Sequence, residues 1–148
     1  CHGVGRVLAQ APAQLREIVA GREYLPQRLE QFLVEAHELV PGASAALGDG
    51  DLAAFGQIVD RSQHYSEHYL GNQVPETVYL QASARRLGAS AASAFGAGFG
   101  GSVWALVPSA QAEDFAQRWL SDYRQTYPEP GQRAATLVTR PGPSAHRL

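Results

Sequence analysis

Four glycines, Gly96, Gly98, Gly100 and Gly101, fall within six residues, and apolar segments flank them on both sides. Glycine has no Cβ and takes positive φ at little steric cost. Such a run therefore interrupts regular structure and lets the backbone turn sharply or approach a ligand closely. The preceding residues 89–95 are small and apolar. Val103, Trp104, Ala105, Leu106 and Val107 follow as a short continuous apolar run of the kind found in buried strands. The pattern predicts a strand, a glycine loop and a second strand.

Upstream the pattern is helical. Leu29, Phe32, Leu33, Ala36, Leu39 and Val40 recur at three-and-four spacing on one stripe, with Pro41 and Gly42 placed to bend or interrupt that helix. The run Gly48, Asp49, Gly50, Asp51 has turn chemistry, with an Asp able to cap a helix that carries Leu52, Phe55, Ile58 and Val59 inward. That helix is expected to continue toward Tyr69 until Gly71 and Asn72 break it. Pro75 and Glu76 then suit the first turn of another helix leading to Leu87. Beyond the strands, Ser109 is placed to cap a helix with Glu113 and Asp114 in its first turn and a stripe of Ala112, Phe115, Ala116, Trp119, Leu120 and Tyr123. Pro128, Pro130 and Gly131 end it. Residues 135–139 are expected to form a strand, and the turn at Pro141, Gly142 and Pro143 to return the chain as a last strand to Leu148. Helices against one small antiparallel sheet define an α+β domain. Residues 1–21, where Pro12 and two early glycines compete with the helical pattern of Leu15, Ile18 and Val19, are expected to be a partly ordered extension.

Composition narrows the function classes. The 148 residues suit one domain able to bury a substantial core without metal or disulfide staples. Lys and Arg total 12 against 14 Asp and Glu, so nothing drives phosphate-backbone binding and no nucleic-acid partner is expected. No apolar run reaches membrane-helix length and no secretory signal is visible, so no membrane association is expected. Cys1 is the single cysteine, which fits a reducing, cytoplasmic setting. A start at Cys1 and a lack of any methionine lead us to expect further sequence upstream.

Amides in a glycine-rich loop can converge on an anion, which suits a nucleotide phosphate or the charge of phosphoryl transfer. A P-loop is excluded, because no Walker lysine followed by Ser or Thr is present, and a dinucleotide fingerprint does not fit either. A glycine hairpin that merely turns the chain is the competing reading.

The run Leu87, Gly88, Ala89 followed by GAGFGGSVWALV from Gly96 resembles the third motif of the GHMP small-molecule kinases in its galactokinase form, usually TGAGFGGC before an apolar strand. Ala46 to Leu52 (ALGDGDL) and Phe55-Gly56 are similar to that family's AL, GDL and FG, and Ser62-Gln63 stands where it usually has Ser-His. Pro75-Glu76 with Leu80, and the closing PGPSAHRL, extend the resemblance to most of the chain from Pro26 onward. Three further features depart from the pattern. Phe95 stands in place of Thr, residues 90–94 form an extra small-residue run, and Ser102 replaces the common Cys.

The resemblance implies a GHMP-kinase carboxy-terminal domain with a ferredoxin-like arrangement. It also implies a parent enzyme that uses ATP and Mg²⁺, bound mainly through an amino-terminal catalytic domain absent from this chain. That enzyme would phosphorylate galactose or a related sugar at its anomeric hydroxyl. The family residues that transfer to this chain are Gly96, Ala97, Gly98, Phe99, Gly100, Gly101 and Ser102, as a cofactor-binding loop. No catalytic residue or metal ligand transfers, so the isolated chain is expected to be inactive. A non-catalytic regulatory homologue that binds sugar and nucleotide, or another GHMP kinase, is the alternative.

Other candidates have bland readings. His64 and His68 at i and i+4, with Glu67 nearby, could face one metal, but no third ligand is evident. Asp49 and Asp51 suit a turn and cap better than a calcium loop. Arg85 and Arg86 fit a solvated helix end better than a phosphate site. Trp104 and Trp119 read as core residues before base-stacking ones.

Overall fold

The computed structural model describes residues 12–142. Helix α1 (Pro12–Val19) packs on α2 (Leu25–Val34), and Arg16 donates to both carboxylate oxygens of Glu30 at 2.6 and 2.9 Å across the pair. These hydrogen bonds hold the Glu30 carboxyl below its ordinary pKa and raise that of Arg16. Both partners are solvent-exposed, so the pair orients the helices more than it stabilises them. Part of the stretch expected as a loosely ordered extension is therefore a docked helix, and residues 1–11 lie outside the described residues.

Helix α2 runs on through a π-helical turn, Glu35–Leu39, into α3 (Val40–Gly48). Pro41 explains the turn. Proline offers no N–H, and in regular α geometry its ring would meet the carbonyl four residues back. The chain widens just before it, and Val40 N–H donates to the Glu35 carbonyl five residues back. The helix therefore passes Pro41 without ending. The widened turn shifts the stripe. Leu33 and Leu39 are buried, whereas Val40, expected inward, is exposed.

Asp51 caps α4 (Leu52–Tyr65) by accepting from Ala54 N–H at 2.9 Å, as its position in the sequence predicts. Val59 is buried and Phe55 and Ile58 half-buried, but Leu52, in the first turn, points outward. A second π-helical turn, Ser66–Leu70, closes this helix at Gly71, whose left-handed conformation ends it where expected. Pro75 then opens α5 (Pro75–Arg86).

Strands β1 (Ala91–Ala94) and β2 (Val103–Leu106) pair antiparallel, with Ala91 opposite Leu106 and Ala94 opposite Val103. They form the one sheet among the described residues. With a single neighbouring strand among the described residues, β2 is half-buried rather than the fully enclosed strand its apolar run predicts. A 3₁₀ turn, Ser109–Gln111, leads into α6 (Ala112–Thr126), so the first residue of α6 lies beyond Ser109, which makes no side-chain cap. Phe115, Ala116 and Tyr123 are the buried part of the predicted stripe. The helix stops at Thr126 before a short turn of helix, α7 (Pro128–Gly131).

Residues 135–139, expected as a strand, have no strand partner among the described residues. Arg124 donates to the carbonyls of Gly131 and Ala134, both at 3.0 Å, which holds the start of this segment against α6. Leu137 is 87% exposed. The last strand predicted toward Leu148 lies mostly outside the described residues.

The core is built from small side chains. Ala84 on α5, Ala89, Ala92 on β1 and Phe115 on α6 are buried together, with Leu87, Ala105, Val107 and Trp119 packed around them. Trp119 Nε1–H donates to the Leu80 carbonyl at 3.1 Å and to Ser83 Oγ at 3.0 Å, which satisfies the one polar atom that ring would otherwise bury. Alanines bring α5 close to the sheet. At the opposite contact Gly56 on α4 does the same, since a Cβ there would enter the Ser90 carbonyl oxygen and press on the Arg85 guanidinium. Gly56→Ala should therefore cost about 2 kcal/mol or more of unfolding free energy by overpacking, read in denaturant unfolding of the chain. Gly48→Ala, at a position with open space around it, is the control and should stay within about 0.5 kcal/mol.

Candidate functional site

The glycine loop joins β1 to β2 as the sequence predicts, and Phe95 N–H donates to the Ser102 carbonyl at 2.8 Å to close its base. Gly96, Gly98, Gly100 and Gly101 all have positive φ, at 75°, 82°, 108° and 99°. Phe99 sits among them at φ 59°, a left-handed conformation that costs a bulky L-residue on the order of 1–2 kcal/mol and has to be held from outside. The hold comes from Asn72, whose backbone carbonyl accepts the Phe99 N–H. Its side-chain Nδ2–H donates to the Ala97 carbonyl at 3.0 Å.

Gly98 is required by the same contact, because a Cβ there would be driven into the Asn72 carbonyl oxygen. Asn72 is itself fixed. It is 7% exposed, its Oδ1 accepts from Gln73 Nε2–H at 2.9 Å, and Gln73 Oε1 accepts from the hydroxyl of buried Thr77 at 2.9 Å. This chain of hydrogen bonds anchors the loop to the first turn of α5. The sequence marks Asn72 only as a helix breaker. Its second role depends on a contact 25 residues away in the chain, which no local pattern discloses.

The seven predicted loop residues do different things. Gly98 and Phe99 are the docked part, through their contacts with Asn72. Among the described residues no protein acceptor meets the amides of Gly96, Ala97, Gly100 and Gly101, which lie at the surface of the loop. Ser102 contributes its carbonyl to the loop base, and its side chain is exposed. Phe95 and Phe99 are 66% and 69% exposed, so the loop carries two aromatic rings on its outside.

The other candidates resolve as structure. The rings of His64 and His68 lie 4.2 Å apart, and His68 Nδ1 sits 3.0 Å from the His64 carbonyl. Among the described residues no three His, Cys, Asp or Glu side chains gather around a common point. Asp51 is a helix cap. Arg86 is at a solvated helix end, where it pairs with Asp122 at 3.0 Å. Arg85 is not. Its Nε and Nη2 donate to Asp60 Oδ2 at 3.1 and 2.9 Å, and its Nη1 donates to the carbonyls of Ala89 and Ser90 at the entrance to β1. Its position at a helix end suggests solvent, but the tertiary fold lays the strand entrance across it. Trp119 is a core residue, and Trp104 is half-buried opposite Ser93.

A docked glycine loop between two antiparallel strands, backed by helices, defines an α+β domain. Residues 43–125 match the family described as GHMP kinases C terminal. Galactokinases from Mycobacterium bovis and Mycobacterium tuberculosis are 31% identical over 114 residues, which is 77% of this chain and 31% of theirs. A galactokinase from Lactobacillus helveticus is 33% identical over 85 residues, covering 55% of this chain and 21% of its own. The crystal structure of Lactococcus lactis galactokinase complexed with galactose superposes with a TM-score of 0.67 at 23% identity, over 79% of this chain and 31% of that one, and so has the same fold. The chain belongs to the GHMP kinases, as a carboxy-terminal domain of galactokinase-like form, and it spans about a third of the length of the Mycobacterium relatives it matches.

Two substitutions separate the loop's anchors. Asn72→Ala, which removes the side-chain bond to Ala97 but keeps the backbone one, should cost about 1–2 kcal/mol. Gly98→Ala, which blocks the approach itself and places a side chain at positive φ, should cost more and speed proteolysis within residues 96–101. Thermal unfolding and limited proteolysis read both effects.

Proposed function

We propose that this chain is the carboxy-terminal part of an ATP-dependent sugar kinase that phosphorylates galactose or a closely related sugar at its anomeric hydroxyl. The observation that carries this reading is the loop itself. Five of the residues from Gly96 to Gly101 have positive φ, and the loop is docked on Asn72 through Ala97, Gly98 and Phe99, in a chain whose curated relatives are galactokinases. A loop docked this firmly can hold its amides in place before the substrate arrives, and phosphoryl transfer depends mainly on such positioning and on stabilising charge.

The amides of Gly96, Ala97, Gly100 and Gly101 would receive phosphate oxygens. ATP supplies the phosphoryl group and Mg²⁺ neutralises its charge when bound, and we infer that both are held mainly by the remainder of the kinase. The base and the sugar-specifying groups belong there too. The described part of this chain would contribute the loop and its anchorage, and would be inactive alone.

The test is a sugar panel assayed with ATP and Mg²⁺, using the 148-residue chain and a galactokinase-length protein that carries it. The longer protein should phosphorylate galactose or a near relative, and the chain alone should not. In the longer protein Gly98→Val should lower kcat roughly a hundredfold by displacing the loop. Unchanged kinetics would reduce the loop to a hairpin. Binding of sugar and nucleotide without turnover would replace the catalytic reading with the regulatory one.

A further inference from the structure

Gln63, near the end of α4, is 2% exposed, and each end of its amide is engaged. Its Oε1 accepts two hydrogen bonds from the last residues of β1, from Ser93 Oγ at 3.0 Å and from Ala94 N–H at 3.1 Å. Its Nε2–H donates to Glu67 Oε1 at 2.9 Å. Ala94 immediately precedes Phe95, whose N–H closes the base of the glycine loop on Ser102. Ala94 also pairs with Val103, the first residue after the loop on the return strand.

Gln63 therefore grips the chain where it enters the loop, while Asn72 grips the loop's middle. The two anchors lie at opposite ends of one stretch, from late α4 through its π-helical turn to Asn72, three residues before α5 begins. A glutamine suits the position because one carbonyl oxygen has two lone pairs for two donors, while its amide N–H satisfies the carboxylate behind it, all without a titrating group.

We propose that Gln63 is a positioning residue of the glycine loop, acting through Ser93 and Ala94 to fix the strand end from which the loop departs. Its catalytic consequence rests on the kinase reading above, whereas its structural part can be tested without it. Gln63→Leu keeps the bulk and removes the acceptor, leaving the half-buried Ala94 N–H and Ser93 hydroxyl without the partner that holds them.

Amide hydrogen exchange on the 148-residue chain should then quicken about tenfold at Ala94 and Phe95, while the amides of α6 keep their wild-type rates. The double exchange Gln63→Glu with Glu67→Gln restores every donor and acceptor. A carboxylate at position 63 accepts from Ser93 and Ala94 on one oxygen and from the new side-chain amide at position 67 on the other. It should bring protection at Ala94 and Phe95 back to within about threefold of wild type. A site that required only bulk would be indifferent to this swap.

In the galactokinase-length protein, Gln63→Leu should lower kcat about tenfold with KM for the sugar within about twofold, and the double exchange should recover most of it. Wild-type-like exchange in Gln63→Leu, a uniform quickening that includes α6, or a failure of the double exchange to restore protection would each overturn the proposal. A galactokinase-length protein with no wild-type turnover would overturn the kinase reading instead, and the exchange results would still decide the role of Gln63.

Discussion

The guanidinium of Arg85 is the interaction from which the rest of the architecture hangs. It leaves α5 at its last turn, pairs with Asp60 on α4, and donates to two successive carbonyls, Ala89 and Ser90, just before β1 begins. One planar side chain therefore joins two helices to the entrance of the sheet. The geometry depends on Arg because its donors point in fixed directions within one plane, which an ammonium on a flexible stem does not reproduce. Gly56 makes the arrangement possible, since any side chain there would occupy the space in which the Ser90 carbonyl meets α4. With the entrance fixed, β1 lies where Gln63 and α5 can reach it.

The glycine loop takes its shape from that placement. Its glycines permit positive φ but do not choose among the many conformations positive φ allows. Selection comes from the connection between α4 and α5, where Asn72 supplies both a carbonyl for the Phe99 amide and a side-chain donor for the Ala97 carbonyl. Asn72 is braced in turn by Gln73 and by Thr77, which is almost wholly buried. The strain carried by Phe99 is balanced by these contacts. A loop with its conformation already settled has little ordering entropy to lose when a ligand arrives.

Much of the organisation was legible along the chain because it rests on local chemistry. Pro75 at a helix start, Asp51 as a cap, Gly71 as a stop and the apolar stripe of α6 express propensities that act within a few residues, and each element lies where those signals put it. The readings that failed needed information from elsewhere in the molecule. Val40 turned outward because Pro41 forces a wider turn that shifts the stripe. Residues 135–139 carry the side chains of a strand but meet no edge to pair with among the described residues, and strand propensity is expressed only against a partner.

The sequence by itself determined that a loop rich in positive φ would separate two short strands within a helical domain, because glycine spacing and apolar periodicity act through the chain's own sterics and its contact with water. Its motifs also carried the resemblance to the galactokinase form of the GHMP kinases. Only the tertiary structure decided which residues hold that loop. Asn72, Gln63 and Arg85 act on partners as far as 31 residues away, and a hydrogen bond over such a separation leaves no periodic trace in the sequence. Their side chains are common in solvent-exposed turns and helix ends, and burial against one particular strand end is what makes them anchors.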